Sequence, residues 1–165
     1  MIQFSRAQAH EAAEVYQIIR DAIEEMFLNG IDQWNETYPC MDDVRADLAR
    51  QELFLGRIGG VPAAVFVLNE EADEEYSDGR WQDSGGRWAV LHRFCVSPRF
   101  QRRGVGSRVL TYVETIAAQA GYTSLRLDAM VLNPFAMKLY RAHGFTPVGT
   151  AVFRDRLFCL MEKLL

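Results

Sequence analysis

Apolar and polar positions along the chain change period several times, and each change marks an element. Ile2 to Arg6 alternates as a half-buried strand does. From Val15 the spacing becomes helical, through Ile18, Ile19, Ala22, Ile23, Met26 and Phe27, and Asn29-Gly30 supplies a helix end. This helix has only a poor N-cap candidate, Gln8. IDQWNETYP, residues 31–39, reads as a loop, and a short helix from about Asp42 to Arg50 follows. ELFLGRI and VPAAVFVL flank Gly59-Gly60 and predict a hairpin.

The run NEEADEEYSDGRWQDSGGR, residues 69–87, is acidic and glycine-containing and reads as a long loop. Trp88 to Val96 is a mostly apolar strand stopped by Ser97-Pro98. Val105, Val109, Val113, Ile116 and Ala120 mark a helix that stops at Gly121, and Leu125, Leu127 and Ala129 alternate in a strand. Asn133-Pro134 is an N-cap followed by proline at the first helical position, in a helix that runs to about His143 before Gly144. Two strands, roughly 145–154 and 156–164, close the pattern. The order β α α β β β α β α β β has no internal repeat and no linker, and predicts one α/β (α+β) domain over residues 1–165 with a mixed sheet covered by helices.

Composition narrows the function. The formal net charge of −4 gives no general attraction to nucleic acid or an anionic membrane. Cys40, Cys95 and Cys159 lie far apart without a CxxC pair, and His10, His92 and His143 lack ligand spacing, so neither a disulfide framework nor a metal site is expected. No secretory leader or membrane span is visible, so the expected location is the cytoplasm.

The hexapeptide QRRGVG, residues 101–106, stands between a strand and a helix. The first backbone N–H groups of a helix lack internal acceptors and see the positive end of its dipole. Gly104 and Gly106 would let a phosphate approach the backbone, and Arg102 and Arg103 would add charge-assisted bonds. A plain turn with solvated arginines reads equally well from these six residues. The pattern is neither a dinucleotide fingerprint nor a P-loop.

In its wider context, LHRFCVSPRFQRRGVGSRVL, residues 91–110, resembles the acetyl-CoA motif of the GCN5-related N-acetyltransferase (GNAT) family, with Val96, Pro98, Gln101, Gly104 and Gly106 at the motif positions. LRLDAMVLNPFAMKLYRAHGF, residues 125–145, is similar to the family's second motif, through Asn133, Ala136, Tyr140, Gly144 and Phe145. The element order also matches. The resemblance implies the acyl-CoA N-acyltransferase fold: a mixed, mostly antiparallel central sheet of about seven strands with helices on both faces. It implies acetyl-CoA as acyl donor, with no metal.

The same resemblance implies roles. Two central strands, 88–96 and 123–129, would splay apart, and the backbone of Phe94, Cys95 and Val96 would bond the pantetheine arm as an added strand. Gln101 belongs to the donor motif, and the pyrophosphate would rest on backbone N–H groups of Arg102, Arg103, Gly104, Val105, Gly106 and Ser107. Asn133 would steady the pantetheine or cap its helix. Tyr140 stands where many members carry the acid for the leaving thiolate; a half-buried tyrosine that only packs is the alternative. His92 is the candidate base, because LHRFCV resembles the corresponding stretch of arylalkylamine N-acetyltransferases. Strand alternation would put it on one face with Phe94 and Val96. A packed strand histidine is the plainer reading. Asp128 or a bound water chain are the alternatives for the base. Cys95 has no partners for covalent catalysis and reads as a small apolar residue.

In such a fold the first two helices and their loop wall the acceptor site, which places Trp34 and Tyr38 there, near Asp32 and Glu36. An aromatic plug over the core is the competing reading. The implied acceptor is a small-molecule amine or a protein or peptide amino group. No nucleic acid or membrane partner is expected; a homodimer is common for the fold, but no stretch identifies an interface. A non-catalytic acyl-CoA binding or sensing module is the alternative to an enzyme, since fold and cofactor motif do not fix activity. A nucleotide-binding module using the glycine loop alone is a third, against which the Asn133–Tyr140 motif counts.

Overall fold

Strands and helices form where the periodicity changes, in the order expected. The structure, a computed structural model, describes residues 1–165. The elements are β1 (Ile2–Arg6), α1 (Ala12–Leu28), α2 (Met41–Ala49), β2 (Leu53–Ile58), β3 (Val61–Asn69), β4 (Trp88–Val96), α3 (Val105–Gln119), β5 (Ser124–Met130), α4 (Pro134–Ala142), β6 (Thr146–Phe153) and β7 (Arg156–Leu164). The seven strands lie in the order β1-β2-β3-β4-β5-β7-β6. The β1–β2, β2–β3, β5–β7 and β6–β7 pairs are antiparallel, and β4–β5 is parallel. This is the mixed, mostly antiparallel seven-strand sheet that the resemblance implied.

The chain makes two compact units. One comprises Met1–Leu68 and His92–Val109, the other Asn69–Leu91 and Leu110–Leu165. The core of the first collects Val15, Ile18 and Ile19 of α1, Val44 and Leu48 of α2, Leu53 and Leu55 of β2, and Val65 and Val67 of β3. Val15, Ile18 and Ile19 are positions the helical period selected, and each buried aliphatic contributes roughly 1.5–3 kcal/mol. Gly59 and Gly60, with φ of 57° and 80°, make the two-residue turn between β2 and β3, a backbone that only glycine adopts without strain. Gln8 does serve at the start of the α1 region: its N–H donates to Glu11 at 2.7 Å in a short 3₁₀ turn, Ala9–Glu11.

In the second unit Leu125 and Leu127 of β5, Val113 and Ala117 of α3, and Phe158, Leu160 and Met161 of β7 are buried. The acidic run differs from a plain loop. It contains a 3₁₀ turn, Glu74–Asp78, whose Tyr76 is buried and stacks on Trp81 at 5.4 Å between ring centroids. The buried Glu162 carboxylate of β7 accepts from the N–H groups of Gln82 and Asp83 at 2.8 and 3.2 Å. Acidic residues thus face outward while aromatic anchors pin the segment. β6 and β7 join through Arg154-Asp155, both left-handed, and their register shifts between Pro147 and Gly149. No helix is long and apolar enough to cross a membrane.

Candidate functional site

Within the first unit the donor-motif residues form one continuous stretch. The register of β4 with β5 covers only Trp88, Ala89 and Val90. Beyond it β4 departs from regular strand: Arg93 has φ of 46°. A left-handed residue inside a strand interrupts the alternation of faces. The expected common face of His92, Phe94 and Val96 therefore lacks its basis, because alternation holds only through unbroken strand. His92, Phe94, Cys95 and Val96 are each half-buried. The Cys95 side chain packs against the first unit's core, and burial pushes its thiol well above the ordinary cysteine value. A thiol held protonated in this way is a poor nucleophile.

The loop after β4 is braced from within. The Gln101 side-chain amide donates to the Val96 carbonyl at 3.0 Å. Arg102 and Gly104 are left-handed, with φ of 60° and 73°, and turn the chain into α3. The first bond of the helical pattern is Arg108 N–H to the Gly104 carbonyl at 3.2 Å, so the amides before it face the N-terminal end of α3. Arg102, Arg103 and Gly104 are exposed, Gly106 and Ser107 half-buried, and Val105 buried as the hydrophobic anchor of the turn. Nothing lies within 4 Å of where a Gly104 Cβ would stand. An open glycine, two exposed arginines and a helix N-terminus fit a pyrophosphate.

The aromatic residues of 31–39 are engaged inside this unit. Trp34 packs against the core, and the Tyr38 hydroxyl accepts from Arg93 Nη1 at 3.1 Å. The Arg93 guanidinium also holds Asp47 by two bonds of 2.6 Å, Nε to Oδ2 and Nη2 to Oδ1. Arg50 Nη2 approaches the same carboxylate at 3.3 Å. Burial is the largest influence and works against the Arg93 charge, but the bonds and charges of Asp47 and Tyr38 together outweigh it and hold the guanidinium above the ordinary arginine value. Burial pushes the Asp47 carboxyl up, with the Arg93 bonds opposing it. Both shifts are upward, favouring the charged arginine but the neutral carboxyl; the bidentate geometry, with a second arginine beside it, is that of an ionised pair. Neither Asp47 nor Arg93 was singled out by sequence. They lie 46 residues apart, and no local spacing joins them.

The second unit gathers the remaining candidates. Tyr140 on α4 is buried, edge-on to Phe145 at 5.8 Å. Asn133 caps α4, its side chain accepting from Ala136 N–H at 3.1 Å. Asp128 on β5 accepts from the Tyr76 hydroxyl at 2.7 Å. Burial pushes the Asp128 carboxyl up to about 6, the Tyr76 bond opposing it. The Tyr76 phenol is raised well above its usual value, by burial first and then by the Asp128 charge, with Tyr140 also contributing. Tyr76 escaped the sequence reading because its acidic neighbours made the whole segment look solvated.

Comparison with known proteins follows this geometry. Residues 14–145 match the model of the acetyltransferase (GNAT) family. The uncharacterised N-acetyltransferase YesJ of Bacillus subtilis (strain 168) is 30% identical over 132 residues, covering 78% of this chain and 73% of YesJ. A GNAT-family acetyltransferase from Streptococcus agalactiae superposes with a TM-score of 0.87 at 22% identity, over 99% of this chain and 95% of that one. The PaiA N-acetyltransferase of Thermoplasma acidophilum, solved in complex with coenzyme A, gives 0.77 at 14% identity, over 100% and 99%. The chain belongs to the GNAT family and is an N-acetyltransferase, for which acetyl-CoA is the implied acyl donor.

Proposed function

We propose that this protein transfers the acetyl group of acetyl-CoA to a primary amine, by direct attack of the neutral amine within a ternary complex. Bound acetyl-CoA supplies the activated thioester. The backbone amides from Arg102 to Ser107 hold its pyrophosphate, with Arg102 and Arg103 neutralising charge. The backbone of Phe94, Cys95 and Val96 pairs with the pantetheine amides, which asks nothing of the side chains beyond packing. The turn at Gly104, open in front of the missing Cβ and one residue before α3, is the observation that carries this reading.

The Tyr140 phenol holds the proton that a departing thiolate takes. His92 Nδ1 or Nε2 removes the proton from the attacking amine, imidazole being the commonest general base among side chains. One observation favours a second reading of the base. Asp128, raised to about 6, is ionised at neutral pH yet basic enough to accept a proton. The acceptor class is an amine on a small molecule or on a peptide.

Calorimetric titration with acetyl-CoA, CoA and ADP tests the donor site. Acetyl-CoA is expected to bind the wild type, and Gly104→Val to weaken it at least about tenfold by straining a left-handed position. Tyr140→Phe is expected to keep that affinity while lowering kcat about 10²-fold. A folded wild type that binds neither acetyl-CoA nor CoA would overturn the donor assignment. Unchanged kcat in Tyr140→Phe would remove the tyrosine from the chemistry.

A further inference from the structure

Arg93 combines two features that oppose stability. Its backbone is left-handed in the middle of a strand, although it carries a side chain. Its carboxylate partner, Asp47, has no solvent exposure and stands in the last turn of α2, where the helix dipole disfavours an anion. Buried ion pairs contribute little net stability over an apolar replacement. The pair is nevertheless built in full: two bonds of 2.6 Å between Arg93 and Asp47, Arg50 at 3.3 Å, and the Tyr38 hydroxyl at 3.1 Å. The Glu52 N–H also holds the Asp47 carbonyl at 3.2 Å, and Arg50 Nε meets the Glu52 carboxylate at 3.2 Å. All five residues belong to the first unit.

A strained backbone conformation persists only where its surroundings over-determine it. The guanidinium of Arg93 is gripped on three of its nitrogens, and its side chain is thereby fixed relative to α2 and the 31–39 loop. The residue so gripped is the one at which β4 leaves regular strand geometry, immediately before Phe94, Cys95 and Val96. From this we infer that Asp47 and Tyr38 act through Arg93 as positioning residues, locking the left-handed kink of β4 so that the backbone of Phe94–Val96 is held ready for the acyl donor. The inference rests on the proposed donor seat along β4. It gives Tyr38 a different task from lining an acceptor site.

Two substitutions at one position separate the backbone role from the side chain's other effects. Arg93→Ala and Arg93→Gly both delete the ion pair and the Tyr38 bond, but only glycine adopts φ near +46° without cost. Acetyl-CoA affinity is measured by calorimetry well below each variant's melting temperature, with CoA alongside. Arg93→Ala is expected to bind acetyl-CoA about tenfold more weakly than wild type, a loss of about 1.4 kcal/mol, and Arg93→Gly to bind several-fold more tightly than Arg93→Ala. Equal affinities in the two variants, whether both weakened or both at the wild-type value, would overturn the lock. Asp47→Asn, which keeps the shape and removes the charge, is expected to weaken acetyl-CoA as Arg93→Ala does. The double variant Asp47→Asn/Arg93→Gly should recover part of the loss, and no recovery would count against the lock. A wild type that fails to bind either acetyl-CoA or CoA strikes the donor seat itself, an outcome distinct from any pattern among the variants.

Discussion

Two aspartates, one in each unit, differ in the partners their carboxylates meet: Asp47 is fully buried and Asp128 half-buried. Asp47 faces two arginines and is fixed by short, bidentate bonds. Asp128 faces a tyrosine hydroxyl at 2.7 Å, with the charges of Asp73 and Arg154 opposing each other nearby. Each loses water on folding. Asp47 is given a full countercharge and becomes a structural clamp. Burial raises the proton affinity of both, but Asp128 meets the Tyr76 hydroxyl rather than a bidentate arginine, and its carboxyl is pushed up to about 6. Burial alone therefore does not separate a catalytic carboxylate from a structural one; the charge of its partner is the further criterion.

The contrast is most sharply broken by removing Asp47. Asp47→Ala leaves Arg93 half-buried without its anion, and the expected loss is about 3–5 kcal/mol in denaturant unfolding. A loss under about 1 kcal/mol would show the pair to be an ordinary surface bridge.

Removing the other carboxylate should act on chemistry and pH dependence. A carboxyl that binds its proton more tightly folded than unfolded stabilises the fold fully below its unfolded value, near 4, and loses that contribution as pH rises through about 6. Asp128→Asn, which resembles the protonated form, should therefore gain on the wild type by roughly 3 kcal/mol between pH 4 and pH 7. In the reading where Asp128 is the base, kcat of the wild type rises with pH through about 6, and the variant loses this limb together with about 10²-fold in rate. Retention of the limb in Asp128→Asn and its disappearance in His92→Ala would assign the base to His92.

The smallest expected effect refines the same point. Tyr76→Phe deletes the bond that holds the Asp128 carboxyl down, so the limb should move above pH 6. The stability cost is about 1 kcal/mol. A limb that stays in place would mean that the tyrosine only packs against Trp81.

Legibility from the sequence followed distance along the chain. The Gly59-Gly60 hairpin, the Asn133 cap and β4 at Trp88–Val96 are local events, written in turn residues and periodicity, and they appear where expected. The donor motif could be matched to the family because its strand, glycine turn and helix are contiguous. What stayed hidden was either non-local or unadvertised. Asp47–Arg93 and Tyr76–Asp128 join residues 46 and 52 positions apart. The left-handed turns at Arg93 and Arg154-Asp155 use residues with side chains where glycine would have signalled them. The kink at Arg93 matters most, since it invalidates a face argument drawn across it.

The outermost strand β6 also sets how the protein tolerates crowding. An open sheet edge offers a row of donors and acceptors on which another chain can polymerise. Here the start of the edge is covered: Arg80 N–H donates to the Val148 carbonyl at 2.8 Å, and the register slip between Pro147 and Gly149 interrupts the ladder beside it. The exposed Val152 and Leu157 of the last hairpin would otherwise favour such growth. The segment that pins Tyr76 thus also shields part of an edge on which copies could join, a matter of many molecules together rather than of one.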